Sequence, residues 1–187
     1  LQGIAGIGKS ELAKAYVKRY GKEYTNIIYF TYTGDLKRDI AGLDFADDVD
    51  DSETIDARFS RHHRLLRKLR EDSLLIIDNF NTVTARDSLL DVVLNYHCKI
   101  IFTTRSRFDN YTSMNLEEIA DTESLLSLMG CFYSNAEKHR PILEQIIQTV
   151  HRHTLAVELS ARLLETGILE PPSLLKKLKE EKAALDT

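Results

Sequence analysis

Gly3-Ile4-Ala5-Gly6-Ile7-Gly8-Lys9-Ser10 is the stretch that decides the reading of this chain. It fits G-x-x-x-x-G-K-[ST], the phosphate-binding loop or Walker A motif. Each residue type has a physical task there. Glycines let the backbone curl until successive N–H groups point inward at an anion. Lys9 adds a flexible point charge for the outer phosphates. The Ser10 hydroxyl suits Mg²⁺, which also takes phosphate oxygens. A helix has to follow, because its dipole and free N–H groups favour an anion at its start. Leu12, Ala13, Tyr16, Val17 and Tyr20 recur at helical spacing, and Gly21 supplies a stop. The expected phosphate contacts are Gly3, Ala5, Gly6, Ile7, Gly8, Lys9, Ser10 and Glu11.

Leu74-Leu75-Ile76-Ile77-Asp78 is the second informative stretch. Four apolar residues ending in a carboxylate read as a strand buried on both faces. Ligands of parallel α/β sheets bind beyond the carboxyl ends of the strands, so Asp78 is placed to hold Mg²⁺ as a Walker B acid does. Ile100 to Thr104 read as another buried strand, with Arg105 at its carboxyl end to meet charge on a γ-phosphate. Asn26 to Thr33, rich in β-branched and aromatic residues, is a further strand. Leu116 to Ile119 are expected to complete the sheet. Helices are expected over about 36–43, 54–69 and 86–96. The one over 54–69 has Ile55, Phe59, His62, Leu66 and Leu69 on one face, and the one over 86–96 opens with a capping pair, Thr84 and Asp87.

From Asp121 onward the pattern is helical only. One helix carries Leu125, Leu126, Met129 and Phe132. The next carries Ile142, Leu143, Ile146, Ile147 and Val150, with Pro141 in its first turn. A third carries Leu155, Leu159, Leu163 and Leu164, and a last one follows Pro171-Pro172. The chain therefore divides near residue 120 into an α/β domain, 1–120, and a small helical subdomain, 121–187. Only Leu1 and Gln2 precede the loop, so the strand expected to feed it is largely missing, and the chain reads as a piece of a larger protein.

With 187 residues, 43% hydrophobic and 29% charged, the composition is that of a globular domain, and a net charge of −4 offers no general basic surface for nucleic acid. No apolar run approaches a membrane span. Two cysteines, Cys98 and Cys131, do not make a disulfide framework. They read as buried thiols in a reducing cytoplasm. Acids at 44, 47, 48, 50, 51, 53 and 56 lack the glycine and terminal glutamate of a calcium loop and read as a solvated segment. His62 and His63 have no third ligand at metal-site spacing.

Four segments together resemble the NB-ARC family, part of the STAND group of AAA+ P-loop NTPases. GIAGIGKSELA resembles its phosphate loop, LLIIDNF its Walker B strand, KIIFTTRS its sensor 1 strand and HTLAVEL its base-contacting helical segment. The chain departs from the family at Arg152 and Thr154, which replace a Gly and a Pro, while Leu155-Ala156 are retained. It departs again at Asn79, where a second acid usually stands. The resemblance implies a P-loop α/β sheet followed by a helical subdomain, with ATP or ADP and Mg²⁺ in the cleft. It implies base contacts from Thr154 and Leu155, metal contacts from Ser10 and Asp78, and catalytic roles for Lys9, Asp78, Asn79 and Arg105. The implied function is a regulatory switch with slow ATP hydrolysis. The implied partners are other domains of a longer chain and further copies of itself in the ATP state. An efficient AAA+ motor or loader, a small-molecule or nucleoside kinase, and a scaffold with a vestigial site are the alternatives.

Overall fold

A strand of Leu74, Leu75, Ile76 and Ile77 is stable only with both faces covered. In the computed structural model, which describes residues 1–46, 53–81, 87–107 and 111–185, these residues form β2 (Ser73–Asp78), buried along its whole length. β1 (Asn26–Thr31) pairs with it in parallel on one side, from Asn26 opposite Ser73 to Thr31 opposite Asp78. β3 (Lys99–Phe102) pairs in parallel on the other, from Leu74 opposite Lys99 to Ile77 opposite Phe102. The order is β1-β2-β3.

Parallel neighbours need crossover connections. α2 (Leu36–Ala41) and α3 (Ile55–Leu66) lie between β1 and β2 in sequence, and α4 (Leu90–Leu94) between β2 and β3. α1 (Lys9–Tyr20) precedes β1. Asp35 caps α2 by accepting the N–H groups of Lys37 and Arg38, and Thr54 caps α3 by accepting that of Ala57.

By its internal contacts the chain divides into two compact units: Leu1–Gly3 with Lys9–Asn115, and Ile4–Gly8 with Leu116–Thr187. In the first unit the pleat sends alternate β2 residues to opposite faces. Leu75 and Ile77 join Phe30, Leu36, Ile40, Leu66 and Phe80, whereas Leu74 and Ile76 pack with Ala13. His62 belongs to this interior. It is fully buried, and its Nδ1 lies 2.8 Å from the carbonyl oxygen of Ile40. Among the described residues no three His, Cys, Asp or Glu side chains converge as they would around a metal ion.

The second unit holds α5 (Thr122–Gly130), α6 (Arg140–Thr149), α7 (Thr154–Glu165) and α8 (Pro171–Leu185). Its core is built from Leu125, Met129, Leu143, Ile146, Val157 and Ala161. No helix among the described residues is long and apolar enough to cross a membrane.

Several elements differ from the sequence reading. Leu116 to Ile119 form no strand. Gln2 alone bridges Thr104 on one side and Asn115 on the other, and a ladder cannot extend from one residue. α4 starts at Leu90, so Asp87 is not inside it. Its carboxylate accepts the Leu36 and Leu89 N–H groups and the Tyr32 hydroxyl instead. Thr84 of the expected capping pair lies outside the described residues, as do acids 47, 48, 50 and 51. In α7 the inward face is Val157, Ala161 and Leu164, while Leu155 and Leu159 stand at 41% and 55% exposure. Both sets obey helical spacing, and the face carrying Val157 and Ala161 is the one packed in the core with α5. Cys131 is exposed just past α5, Cys98 is half-buried, and both are free thiols.

Candidate functional site

In the first unit, hydrogen bonds converge on the end of β2. Asp78 is 8% exposed. α1 carries Ser10 up to it, and the Ser10 hydroxyl donates to Asp78 Oδ1 at 2.7 Å. Thr103, one residue past β3, donates its hydroxyl to the same oxygen and accepts the Asn79 N–H at 2.8 Å. The Tyr29 hydroxyl of β1 also favours the charged form of the Asp78 carboxyl. Burial pushes the Asp78 carboxyl up, but the bonds from Thr103, Ser10, Tyr29 and the Asn79 backbone outweigh it. The pKa is held below the usual carboxylate range. Tyr29 is pushed up to about 12, by burial first and then by its bond to Asp78, so it is a donor at neutral pH.

Lys9 opens α1 and its Nζ donates to the Gly3 carbonyl at 2.9 Å. Its pKa is lowered by burial and then by the Arg105 charge, against the opposing pull of Asp78. Lys9, Arg105 and Asp78 are therefore within electrostatic reach of one another. The Arg105 backbone N–H donates to Asn81 Oδ1 at 2.7 Å, and Asn81 Nδ2 donates to Asn79 Oδ1. The Asn79 amide is thus tied along the chain. Its φ of 59° lies in the left-handed region, which Asn tolerates better than most residues. Glu11 points outward and pairs with Lys14 at 2.7 Å.

The middle of the loop, Ile4–Gly8, belongs to the second unit. Gly6 and Gly8 have φ of 72° and 101°, values that the curled loop needs and that other residues resist. A Cβ added at Gly6 would stand 2.7 Å from His153 Cε1 and from Leu155 Cβ. The Ala5 carbonyl lies 2.9 Å from His153 Nε2. Ile7 is buried at 6% exposure. Thr154 begins α7, and its Oγ1 is buried with no hydrogen-bond partner among the described residues.

The expected residues thus fall into two groups. Gly3, Lys9, Ser10, Asp78, Asn79 and Arg105 belong to the first unit, with Glu11 turned to solvent. Ala5, Gly6, Ile7, Gly8, Thr154 and Leu155 belong to the second. Tyr29, Thr103 and His153 were missed. Thr103 had a detectable signal, because polar groups at strand carboxyl ends border the ligand side of a parallel sheet.

Ser10 Oγ with an Asp78 carboxylate is a hard-oxygen pair. It fits Mg²⁺, which is bound through one or two protein oxygens and keeps the rest of its shell for water and phosphate. A cavity of about 390 Å³ lies elsewhere in the first unit, along β3, lined by apolar groups such as Phe80, Leu90 and Ile101, and suits no phosphate. In comparisons with known proteins, no family model and no curated sequence matches this chain.

Proposed function

We propose that this chain is the adenine-nucleotide-binding module of a STAND-type regulatory NTPase, built on a P-loop α/β sheet of the NB-ARC kind. One observation carries the reading. Ser10 and Asp78, from two motifs 68 residues apart, meet at 2.7 Å at the carboxyl end of the central strand. That pair would hold Mg²⁺, whose charge stabilises the phosphate oxygens. Lys9 and Arg105 add the remaining positive charge beside it. Thr103 and Tyr29 keep Asp78 oriented and ionised.

Asn79 can orient a water molecule by hydrogen bonds but cannot take its proton at neutral pH. Turnover is therefore expected to be slow, well under about one per second, below ordinary enzyme rates. A slow ATPase acts as a timer, with the ATP state lasting long enough for self-association or for signalling to other domains of a longer, cytoplasmic chain. Adenine preference and switching rest on the family resemblance, and phosphate and Mg²⁺ binding on the residues.

The test is to denature the purified protein, identify any released nucleotide by chromatography, and follow phosphate release under saturating Mg²⁺-ATP. Retained ADP with slow release supports the switch. Rapid multiple turnover abolished by Lys9→Ala indicates the motor, and absence of nucleotide binding in titration indicates the scaffold.

A further inference from the structure

Within the second unit, the His153 side chain joins the turn of the loop to the start of a helix. Its Nε2 lies 2.9 Å from the Ala5 carbonyl oxygen, and its Nδ1 lies 3.3 Å from the Ala156 N–H, where it caps α7. A carbonyl only accepts and an N–H only donates. One neutral tautomer satisfies both bonds: the proton sits on Nε2 and the lone pair on Nδ1.

The peptide bond between Ala5 and Gly6 is planar and trans, so its C=O and N–H point in opposite directions. Holding the Ala5 oxygen towards His153 sends the Gly6 N–H the other way. That N–H donates to no group among the described residues. An outward-turned N–H of this kind is what an anion-binding loop needs. Gly6 is further held by close packing, since any side chain there would strike His153 and Leu155.

We propose that His153 is the positioning residue of the phosphate loop. It fixes the Ala5–Gly6 peptide so that the Gly6 N–H is turned outward to meet a phosphate oxygen. The proposal rests on the nucleotide reading above. It adds a residue that acts on the ligand only through the loop backbone.

Two substitutions separate the two bonds. Asn carries its amide near the Nδ1 position, so His153→Asn keeps the cap and loses the strut. Gln carries its amide near the Nε2 position, so His153→Gln keeps the strut and loses the cap. Titration of both variants, the parent and Lys9→Ala with Mg²⁺-ADP should show about tenfold weaker binding in His153→Asn, the value of one lost hydrogen bond. His153→Gln should bind as the parent does while melting at a lower temperature. Imidazole ¹⁵N NMR of the parent, with no nucleotide added, should show the Nε2–H tautomer. The opposite tautomer overturns the proposal, as does parent-like affinity in a folded His153→Asn. If Lys9→Ala also binds like the parent, or the parent binds nothing, it is the nucleotide reading that fails, and the proposal with it. Weak binding in Lys9→Ala with full binding in His153→Asn defeats the proposal alone.

Discussion

Asp78 and His153 both support the loop motif, and they are built in opposite ways. Asp78 collects the Ser10 and Thr103 hydroxyls onto one carboxylate oxygen. His153 spends one ring on two backbone groups, one in the loop and one in a helix. The first arrangement depends on side-chain chemistry, because an ionised carboxylate accepts several bonds at once and donates none. The second depends on where a carbonyl points, which any suitably placed donor can fix. Requirements on chemistry leave a motif in the sequence, and so does a curl that needs glycine, but a backbone direction held by a distant donor does not.

The largest effect expected from breaking this contrast is at Asp78. Asp78→Ala strands the Thr103 hydroxyl, which is buried, and leaves Ser10 without its acceptor. An unsatisfied buried donor costs about 1–3 kcal/mol, so denaturant unfolding should show a loss at least in that range. On the proposed metal role of this acid, the same variant should weaken Mg²⁺-ATP binding more than ADP binding in EDTA. Equal losses for both ligands would make Asp78 purely structural.

Next is Lys9→Ala. The Gly3 carbonyl that Lys9 engages is half-exposed and finds water, so the fold should survive, as circular dichroism can check. Nucleotide affinity should fall roughly 10–100-fold, the worth of a charge-assisted bond to phosphate. Unchanged affinity in a folded variant would remove the loop from the site.

A smaller effect is the acid limb of stability. The Asp78 pKa is depressed in the folded chain. A depressed carboxyl stabilises the fold above its unfolded value of about 3.9, and that contribution is lost as pH falls through the folded value. Asp78→Asn should therefore flatten the fall in stability below about pH 4. An unaltered acid limb would mean that other carboxylates carry it.

The parts legible in sequence were those with a strong local signature. The four-residue apolar run of β2 could be covered only in the middle of a parallel sheet, and the curl of Gly6 and Gly8 was implied by their type. In α7 the expected Leu163 and Leu164 do pack on the core, but Leu155 and Leu159 do not, because they satisfy the same period as Val157 and Ala161 and only the packing of neighbouring helices decides between them. The residues of 116–119 favour a strand, but a strand exists only where a partner runs beside it, and the neighbouring bridge of Gln2 stops at Asn115. Within the site, Lys9, Ser10 and Asp78 were visible by residue type. His153 was not, since histidine is outside the usual set of helix-capping residues.

The smallest expected effect tests how firmly His153 itself is held. The two residues before it, His151 and Arg152, have φ of 53° and 60°, a left-handed pair without glycine. Each such residue costs about 1–2 kcal/mol by the clash of Cβ with the following carbonyl. Glycine removes that clash but loses about 0.5–1 kcal/mol of backbone entropy on folding. His151 is exposed, and its backbone N–H bond to the Gln148 carbonyl does not depend on its side chain. His151→Gly should therefore stabilise the chain by about 0.5–1 kcal/mol in denaturant unfolding. Arg152→Gly should gain less, because the Arg152 guanidinium donates to the Ala120 carbonyl at 3.0 Å and that bond would be lost. A destabilised His151→Gly would mean that the strained turn is held by its side chain and not in spite of it. In that case the pre-organisation of His153 would begin two residues earlier than the two bonds of its own ring.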